Sequence, residues 1–147
     1  MLRRELFSFD RVRFVTHLMR TLIPMTEPAF IPEDYFGALT PSEIFGEDGL
    51  FEVDLGCGDG GFLLQMAEYY PERRFLGVER LLGRVRSVCS KAASRGLDNV
   101  KIFRVESRYF LEWLIWPGRI SRLHYLFPDP WPKERHHKNR LVQDDFM

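Results

Sequence analysis

Disulfide-forming, metal-binding and membrane-spanning patterns are scarce in this sequence, and each scarcity excludes a class of protein. Only two cysteines, Cys57 and Cys89, occur among its 147 residues. They are too few for a disulfide framework, and their spacing is not that of a metal site. No apolar run approaches the ~20 residues that cross a bilayer, and the N-terminus lacks the apolar core of a secretory signal. We therefore expect a cytoplasmic protein in a reducing compartment, without a membrane span or a bound metal.

Net charge is also absent, since 21 Lys and Arg residues balance 21 Asp and Glu residues. The totals give no signal of nucleic-acid binding, so any such signal must be local. The length suits one domain with a sizeable core. Residues 1–49 are basic at the start and contain many Pro and Gly residues from 24 onwards. This composition predicts an N-terminal segment of irregular chain ahead of a domain at 50–147.

From residue 50 onwards, short apolar runs alternate with segments of helical periodicity. The runs predict buried strands, and the segments between them place apolar residues on one helical face, as Val85, Cys89 and Ala92 show. This alternation predicts an α/β fold with a parallel sheet and helices on both faces. The predicted strands are 50–55, 74–79, 99–106 and 121–127, and the predicted helices are 61–70, 81–95 and 107–116.

Each predicted strand carries an acid at or just beyond its carboxyl end. These acids are Asp54, Glu79, Glu106 and Asp129. Ligands of open α/β sheets bind outside these strand ends. Four carboxylates at one crevice would repel one another, so the pattern predicts a ligand that is cationic or rich in hydrogen-bond donors.

The loop GCGDGG after the first strand fits two templates. With Gly61 as its third glycine it matches the GxGxxG of dinucleotide-binding proteins, and Glu79 then stands at the distance of a ribose ligand. With Gly60 instead it matches the GxGxG, preceded by an acid, of S-adenosylmethionine (SAM) enzymes. Asp54 and Asp59 would repel a pyrophosphate but attract the ammonium and sulfonium groups of SAM. The charges therefore favour SAM over a nicotinamide cofactor.

A second unusual stretch, DPWPKERHHK, follows the fourth predicted strand. Its prolines stiffen the chain around Asp129 and Trp131, so that a carboxylate and an aromatic face form a ledge suited to guanine. The basic residues beyond the ledge would contact phosphates, which position a nucleic-acid substrate. A solvated helix start is the alternative interpretation of this basic tract.

Three stretches, VDLGCGDGGFLLQMA, FLGVER and FPDPWPKERHHKNRLV, resemble the bacterial tRNA (guanine-N7-)-methyltransferase family. The resemblance covers about residues 50–147 and implies a Rossmann-like, SAM-dependent methyltransferase fold. It also implies methyl transfer from SAM to N7 of the guanosine at position 46 in the tRNA variable loop. Family members continue with three further strands, so the resemblance implies that 50–147 is the N-terminal part of the domain, with the C-terminal strands missing.

Together, the residues and the resemblance predict roles for individual positions. Asp129 is the predicted catalytic residue. The predicted cofactor-binding residues are Asp54, Gly56, Gly58, Glu79, Arg80, Glu106, Ser107 and Asp129. The predicted substrate-binding residues are Trp131, Lys133, Arg135, His136 and Lys138. The predicted partner is tRNA, bound by a monomer or a homodimer.

Two other functions stay open on the sequence alone. A catalytically impaired fragment that binds SAM or tRNA would follow from the missing C-terminal strands. A nicotinamide-dependent oxidoreductase would follow from the GxGxxG match, although the acids and the DPWP ledge oppose it.

Overall fold

A five-stranded parallel sheet forms the centre of the computed structural model, which describes residues 28–126 and 133–135. The strands lie in the order β1-β4-β3-β2-β5, and every neighbouring pair is parallel. Parallel strands require crossover segments between them, which the alternating sequence supplies. The strands are β1 (Ala29–Phe30), β2 (Phe51–Leu55), β3 (Phe75–Glu79), β4 (Val100–Arg104) and β5 (Ile120–His124).

Helices fill the connections between the strands. They are α1 (Pro41–Phe45), α2 (Gly61–Tyr69), α3 (Leu82–Ser94) and α4 (Ser107–Tyr109), the last continuing into a π-helical turn at Phe110–Leu114. Helix α2 ends two residues before Pro71, which cannot continue it. Just beyond α3, Gly96 has φ +65°, the left-handed conformation that glycine adopts after a helix.

The two faces of the sheet carry separate apolar clusters. Helices α2 and α3 cover one face through Leu63, Leu64 and Val88, all buried. Helix α1 and the π-helical turn cover the other face through Ile44 and Phe110. The predicted α/β fold with helices on both faces is confirmed. The strand order reverses between β2 and β5, and such a switch point is where open α/β sheets bind ligands.

The prediction of irregular chain over 24–50 is wrong within its described part. Strand β1 pairs with the outer edge of β4, Ala29 opposite Ile102, so the described part of the chain contributes five strands to the sheet and not the four predicted. Helix α1 begins at a capping box, in which Thr40 accepts from the Glu43 N–H and the Glu43 side chain accepts from the Thr40 N–H. The sequence TPSE contained this signal, and the density of Pro and Gly around it obscured it.

The prediction of one helix over 107–116 is also wrong in detail. The α-helical part is three residues long, and the π-helical turn that follows ends at Leu114. The Leu114 carbonyl accepts a backbone hydrogen bond from the Leu39 N–H at 2.8 Å, so the end of this segment is held by the chain that precedes α1. Strand β5 ends at His124, three residues earlier than predicted. Within the described ranges it is paired on one side, by β2.

Candidate functional site

The candidate site lies at the carboxyl ends of β2 and β3, where the GCGDGG loop leaves the sheet. The N–H groups of Gly56 and Cys57 both donate to the Val78 carbonyl, at 2.8 and 3.0 Å. These bonds hold the start of the loop against β3. The loop is therefore held at the carboxyl ends of β2 and β3, next to the switch point between β2 and β5.

Backbone geometry explains two of the glycines in this loop. Gly56 and Gly58 have φ of +69° and +58°, which L side chains rarely adopt. Among the described residues, no heavy atom lies within 4 Å of the position that a Cβ on Gly56 would take. The loop thus presents bare backbone to open space, as close contact with a ligand requires.

Glu79 ends β3 and joins the loop to the start of α3. Its carboxylate is buried and accepts from the Gly58 N–H at 3.1 Å and from the Leu81 N–H at 2.8 Å. The exposed Arg84 guanidinium lies 3.8 Å away. A carboxylate has about four acceptor positions, so two remain for hydroxyl groups of a ligand beside Gly58.

Asp54 is a second buried carboxylate, one residue before the end of β2. Burial raises the pKa of Asp54 to about 6, while the neighbouring His124 on β5 acts to lower it. Burial also raises the pKa of the Cys57 thiol, and the charges of Asp54 and Glu79 raise it further. Cys57 is therefore a neutral thiol near both acids, and Asp54 and Glu79 share one part of the crevice.

The raised pKa of Asp54 predicts how stability depends on pH. Because the folded-state pKa exceeds the ordinary aspartate value of 3.8, the contribution of this group to stability is fully present below pH 3.8 and is lost as pH rises through about 6. The difference between the folded-state and unfolded-state pKa corresponds to at most about 3 kcal/mol of unfolding free energy. Asp54→Asn should therefore raise the free energy of unfolding at pH 7.5, measured by urea denaturation, and flatten its slope between pH 4 and 7. Asp98→Asn, at an exposed position, is the control, and an unchanged slope in Asp54→Asn would contradict the assignment.

The remaining predicted cofactor residues of the described chain lie nearby in sequence but have other contacts. Glu106 caps α4, accepting from the N–H groups of Arg108 at 3.0 Å and Tyr109 at 2.8 Å. Ser107 is the first residue of α4. Arg80 is exposed, and its carbonyl accepts from the Arg104 side chain at 3.3 Å. Ligand contacts of Glu106, Ser107 and Arg80 stay predictions.

The predicted substrate tract is mostly outside the described residues. Asp129, Trp131, His136 and Lys138 fall there, so their predicted roles stay predictions. Lys133 and Arg135 are described and exposed. Their exposure is compatible with contact to a polyanion, and their predicted role is likewise untested by the geometry.

Sequence reasoning missed a buried charged group beside Asp54. Glu52, also on β2, contacts the His124 ring nitrogen Nε2 at 2.7 Å and Arg73 Nη1 at 3.2 Å. The sequence FEVDL contained a sign of this group. Successive side chains of a strand point to opposite faces of the sheet, so Glu52 and Asp54 lie on the same face. That face points towards α2, where Phe62 lies against the His124 ring with centroids 5.0 Å apart.

Within residues 28–126 and 133–135, no group of three His, Cys, Asp or Glu side chains could hold a metal ion. No helix in those ranges is long and apolar enough to cross a membrane.

Comparison with known proteins identifies the family. Residues 48–147 match the family model described as "Putative methyltransferase", which is more than half of the chain. The chain belongs to this methyltransferase family.

Its relatives include a tRNA (guanine-N(7)-)-methyltransferase of Marinobacter nauticus, 37% identical over 111 residues, which are 76% of this chain and 47% of the relative. The enzyme of the same name from Shewanella sp. strain MR-4 is 39% identical over 108 residues, 74% of this chain and 45% of the relative. The chain spans about half the length of the curated relatives it matches.

Solved methyltransferase structures overlap this methyltransferase-family chain in part. The match to PKMT2 from Rickettsia typhi in complex with AdoHcy spans 55% of this chain and 16% of the PKMT2 chain, with a TM-score of 0.45 and 23% identity. The match to a SAM-dependent methyltransferase from Aquifex aeolicus spans 68% of this chain and 48% of the Aquifex chain, with a TM-score of 0.35 and 19% identity. The fold assignment rests on the strand order and on the helices that cover both faces of the sheet.

Members of this methyltransferase family use SAM as methyl donor, and the donor set of the crevice fits that molecule. Two carboxylates, Asp54 and Glu79, lie beside a loop of bare backbone. Such a set suits an ammonium group and a ribose diol, whereas a pyrophosphate at the same loop would meet two negative charges. The residues present therefore fit SAM better than a dinucleotide.

Proposed function

We propose that this protein takes part in methyl transfer from SAM to N7 of a guanosine in tRNA, at position 46 of the variable loop. The observation that carries the proposal is the contact of Glu79 with the Gly58 N–H at the carboxyl ends of β2 and β3. This contact joins the glycine loop to the acid that we propose binds ribose, and the chain belongs to a methyltransferase family. The names of the curated relatives support the choice of tRNA guanine.

The residues of the crevice have separate tasks in this proposal. Glu79 holds the ribose hydroxyls, and Asp54 attracts the ammonium group. Gly56 and Gly58 let the ligand approach the backbone, while Arg80, Glu106 and Ser107 line the adenine side at the ends of β3 and β4. When bound, SAM supplies an electrophilic methyl group on a sulfonium.

The DPWPKERHHK stretch is the proposed substrate side. Guanine N7 has a lone pair and no proton, so the reaction needs no general base and depends on positioning. Asp129 would stabilise the positive charge that develops on the purine, and Trp131 would stack on the base. The basic residues that would contact tRNA phosphates are Lys133, Arg135, His136 and Lys138.

Asp129→Ala is expected to reduce methyl transfer to tRNA about tenfold or more while leaving much of the SAM affinity in place. The reason is that a carboxylate at the purine edge acts on charge that exists in the transition state and is absent from the SAM complex. Radiolabelled methyl incorporation and calorimetric SAM titration would measure the two effects. Asp98→Ala, at an exposed position far along the chain, is the control. Equal losses of transfer and affinity would show that Asp129 serves the cofactor alone.

The proposed function as a whole is tested with unmodified tRNA and methyl-labelled SAM. Formation of 7-methylguanosine at position 46, and its loss in a transcript carrying adenosine there, would support the proposal. Binding of SAM and tRNA without transfer would indicate an impaired binding module. Binding of NAD in place of SAM would indicate an oxidoreductase. The cytoplasmic location and the monomeric or homodimeric state predicted from the sequence belong to this same proposal.

A further inference from the structure

The glycine loop folds into a tight turn over residues 57–60. The turn is closed by a hydrogen bond from the Gly60 N–H to the Cys57 carbonyl at 2.9 Å. Gly58 is its second residue, with φ +58°, and the Gly58 N–H donates to the Glu79 carboxylate at 3.1 Å. The conformation of this turn therefore determines where the loop presents its backbone to the proposed cofactor.

Helix α3 contacts the same turn through Lys91, a residue of its last helical turn. The Lys91 Nζ donates to the Asp59 carbonyl at 2.9 Å, and the two residues are 32 positions apart in the sequence. A charged donor makes a stronger hydrogen bond than a neutral one. Glu79 thus binds an N–H of the turn from the end of β3, and Lys91 binds a carbonyl of the turn from the end of α3.

The Lys91 contact completes the hydrogen bonding of one peptide group. The Asp59 carbonyl and the Gly60 N–H belong to the same planar trans peptide and point in opposite directions. The N–H is bound to the Cys57 carbonyl and the carbonyl oxygen to Lys91, so rotation of this peptide would break both bonds. Lys91 therefore fixes the orientation of the peptide, and with it the left-handed φ of +78° at Gly60.

Packing against α3 fixes the distance between the turn and the helix. A Cβ on Gly60 would lie 2.6 Å from Val88 Cγ1, closer than real Cβ atoms approach. Val88 and Lys91 are three residues apart on α3 and share a face of the helix. Val88 is buried and Lys91 is half-buried. The apolar contact of Val88 sets how closely the turn approaches α3, and the Lys91 hydrogen bond sets how the turn is oriented.

We propose that Lys91 is a positioning residue for the cofactor, which holds the turn at 57–60 in the conformation that receives SAM. This inference rests on the proposed function for the identity of the ligand. Lys91 acts through the peptide between Asp59 and Gly60 and does not itself touch the ligand. Without this contact, the turn has to be ordered when the ligand binds, and that ordering weakens the affinity.

The test compares Lys91→Met with the wild-type chain. Methionine keeps an unbranched apolar side chain but has no N–H to donate. We expect amide hydrogen exchange at Gly60 to become about five- to tenfold faster, and affinity for S-adenosylhomocysteine, measured by calorimetry, to fall about five- to tenfold. Because the contact is exposed, Tm should fall by no more than about 4 °C.

Two control variants separate the contact with the turn from the charge of the helix. A cation in the last turn of a helix also stabilises the helix dipole, so the charge alone has to be tested. Lys91→Arg keeps a charged donor, and both exchange and affinity should stay within about twofold of the wild type. Arg95→Met removes a cation from the C-cap of the same helix, where Arg95 contacts Glu68, and Gly60 exchange and affinity should not change.

The outcomes distinguish this inference from the proposed function. Unchanged Gly60 exchange and affinity in Lys91→Met would overturn the positioning role, and so would equal effects in Lys91→Met and Arg95→Met. Faster exchange and weaker affinity that Lys91→Arg restores would support both proposals. Faster exchange in a chain that binds no S-adenosylhomocysteine would uphold the action of Lys91 on the turn and overturn the cofactor assignment. If Lys91→Met does not fold, Lys91→Gln, with a shorter and uncharged side chain, takes its place in the same measurements.

Discussion

Replacing Glu79 by glutamine should weaken SAM binding roughly 100-fold. The carboxylate organises the site in two directions, since it accepts from the Gly58 and Leu81 N–H groups and, in the proposed function, from two ribose hydroxyls. Hydrogen bonds to a charged group contribute about 1.5–3 kcal/mol each. Glutamine loses the charge and turns an amide N–H₂ towards one of the backbone donors, so the loop and the ligand both lose a partner.

Calorimetric titration of the variant and the wild-type chain with SAM measures this effect, and amide exchange at Gly58 and Leu81 reports the loosened loop. Arg84→Gln is the matched control. It removes the exposed guanidinium 3.8 Å from the same carboxylate, where a solvent-screened pair contributes little. We expect a change of about twofold or less in Arg84→Gln. Comparable losses in the two variants would refute the proposed role of the Glu79 acceptors.

Asn99→Asp is the substitution that should cost the most stability. The Asn99 side-chain Nδ2 donates to the carbonyls of Ala67, Tyr70 and Arg73, at 3.0, 3.2 and 3.0 Å. These contacts fix the end of α2 and the turn after it to the start of β4. A carboxylate of the same size would place a buried negative charge against three carbonyl oxygens. The expected decrease in the free energy of unfolding is about 3–5 kcal/mol at neutral pH.

Urea denaturation at pH 7.5 measures the decrease. The neighbouring Asp98→Asn makes the reverse chemical change at an exposed position and should alter stability by about 0.5 kcal/mol or less. Because protonation of the new aspartate removes its charge, part of the loss should be recovered as pH falls. A decrease below about 1 kcal/mol would mean that the three carbonyls do not depend on this side chain.

Local patterns predicted the parts of the molecule that local interactions determine. The apolar runs around Val53 and Leu76 gave two strands, and Pro71 and Gly96 marked the ends of α2 and α3. The glycine loop and Glu79 were predicted together because a parallel sheet brings its carboxyl ends to one edge. The distance and direction of the Glu79 hydrogen bonds could not be predicted, since they depend on loop dihedral angles.

Contacts between residues that are far apart in the sequence could not be predicted from local patterns. Glu52 and His124 are 72 residues apart, and their meeting depends on the register of β2 against β5. Strand β1 has two residues, which is too short for a periodic signal, and its pairing with β4 is long-range. Glu106 was predicted as a ligand from its place after a strand, and the same place also makes it the N-cap of α4.

The central claim is that the glycine loop and Glu79 hold SAM, and one NMR experiment tests it most directly. The nitrogen-15-labelled chain is titrated with S-adenosylhomocysteine and, in parallel, with NAD. We predict that the amide resonances of Gly58 and Leu81, which donate to Glu79, shift saturably with S-adenosylhomocysteine and stay in place with NAD. Unmoved resonances with S-adenosylhomocysteine, or saturable shifts with NAD, would contradict the claim.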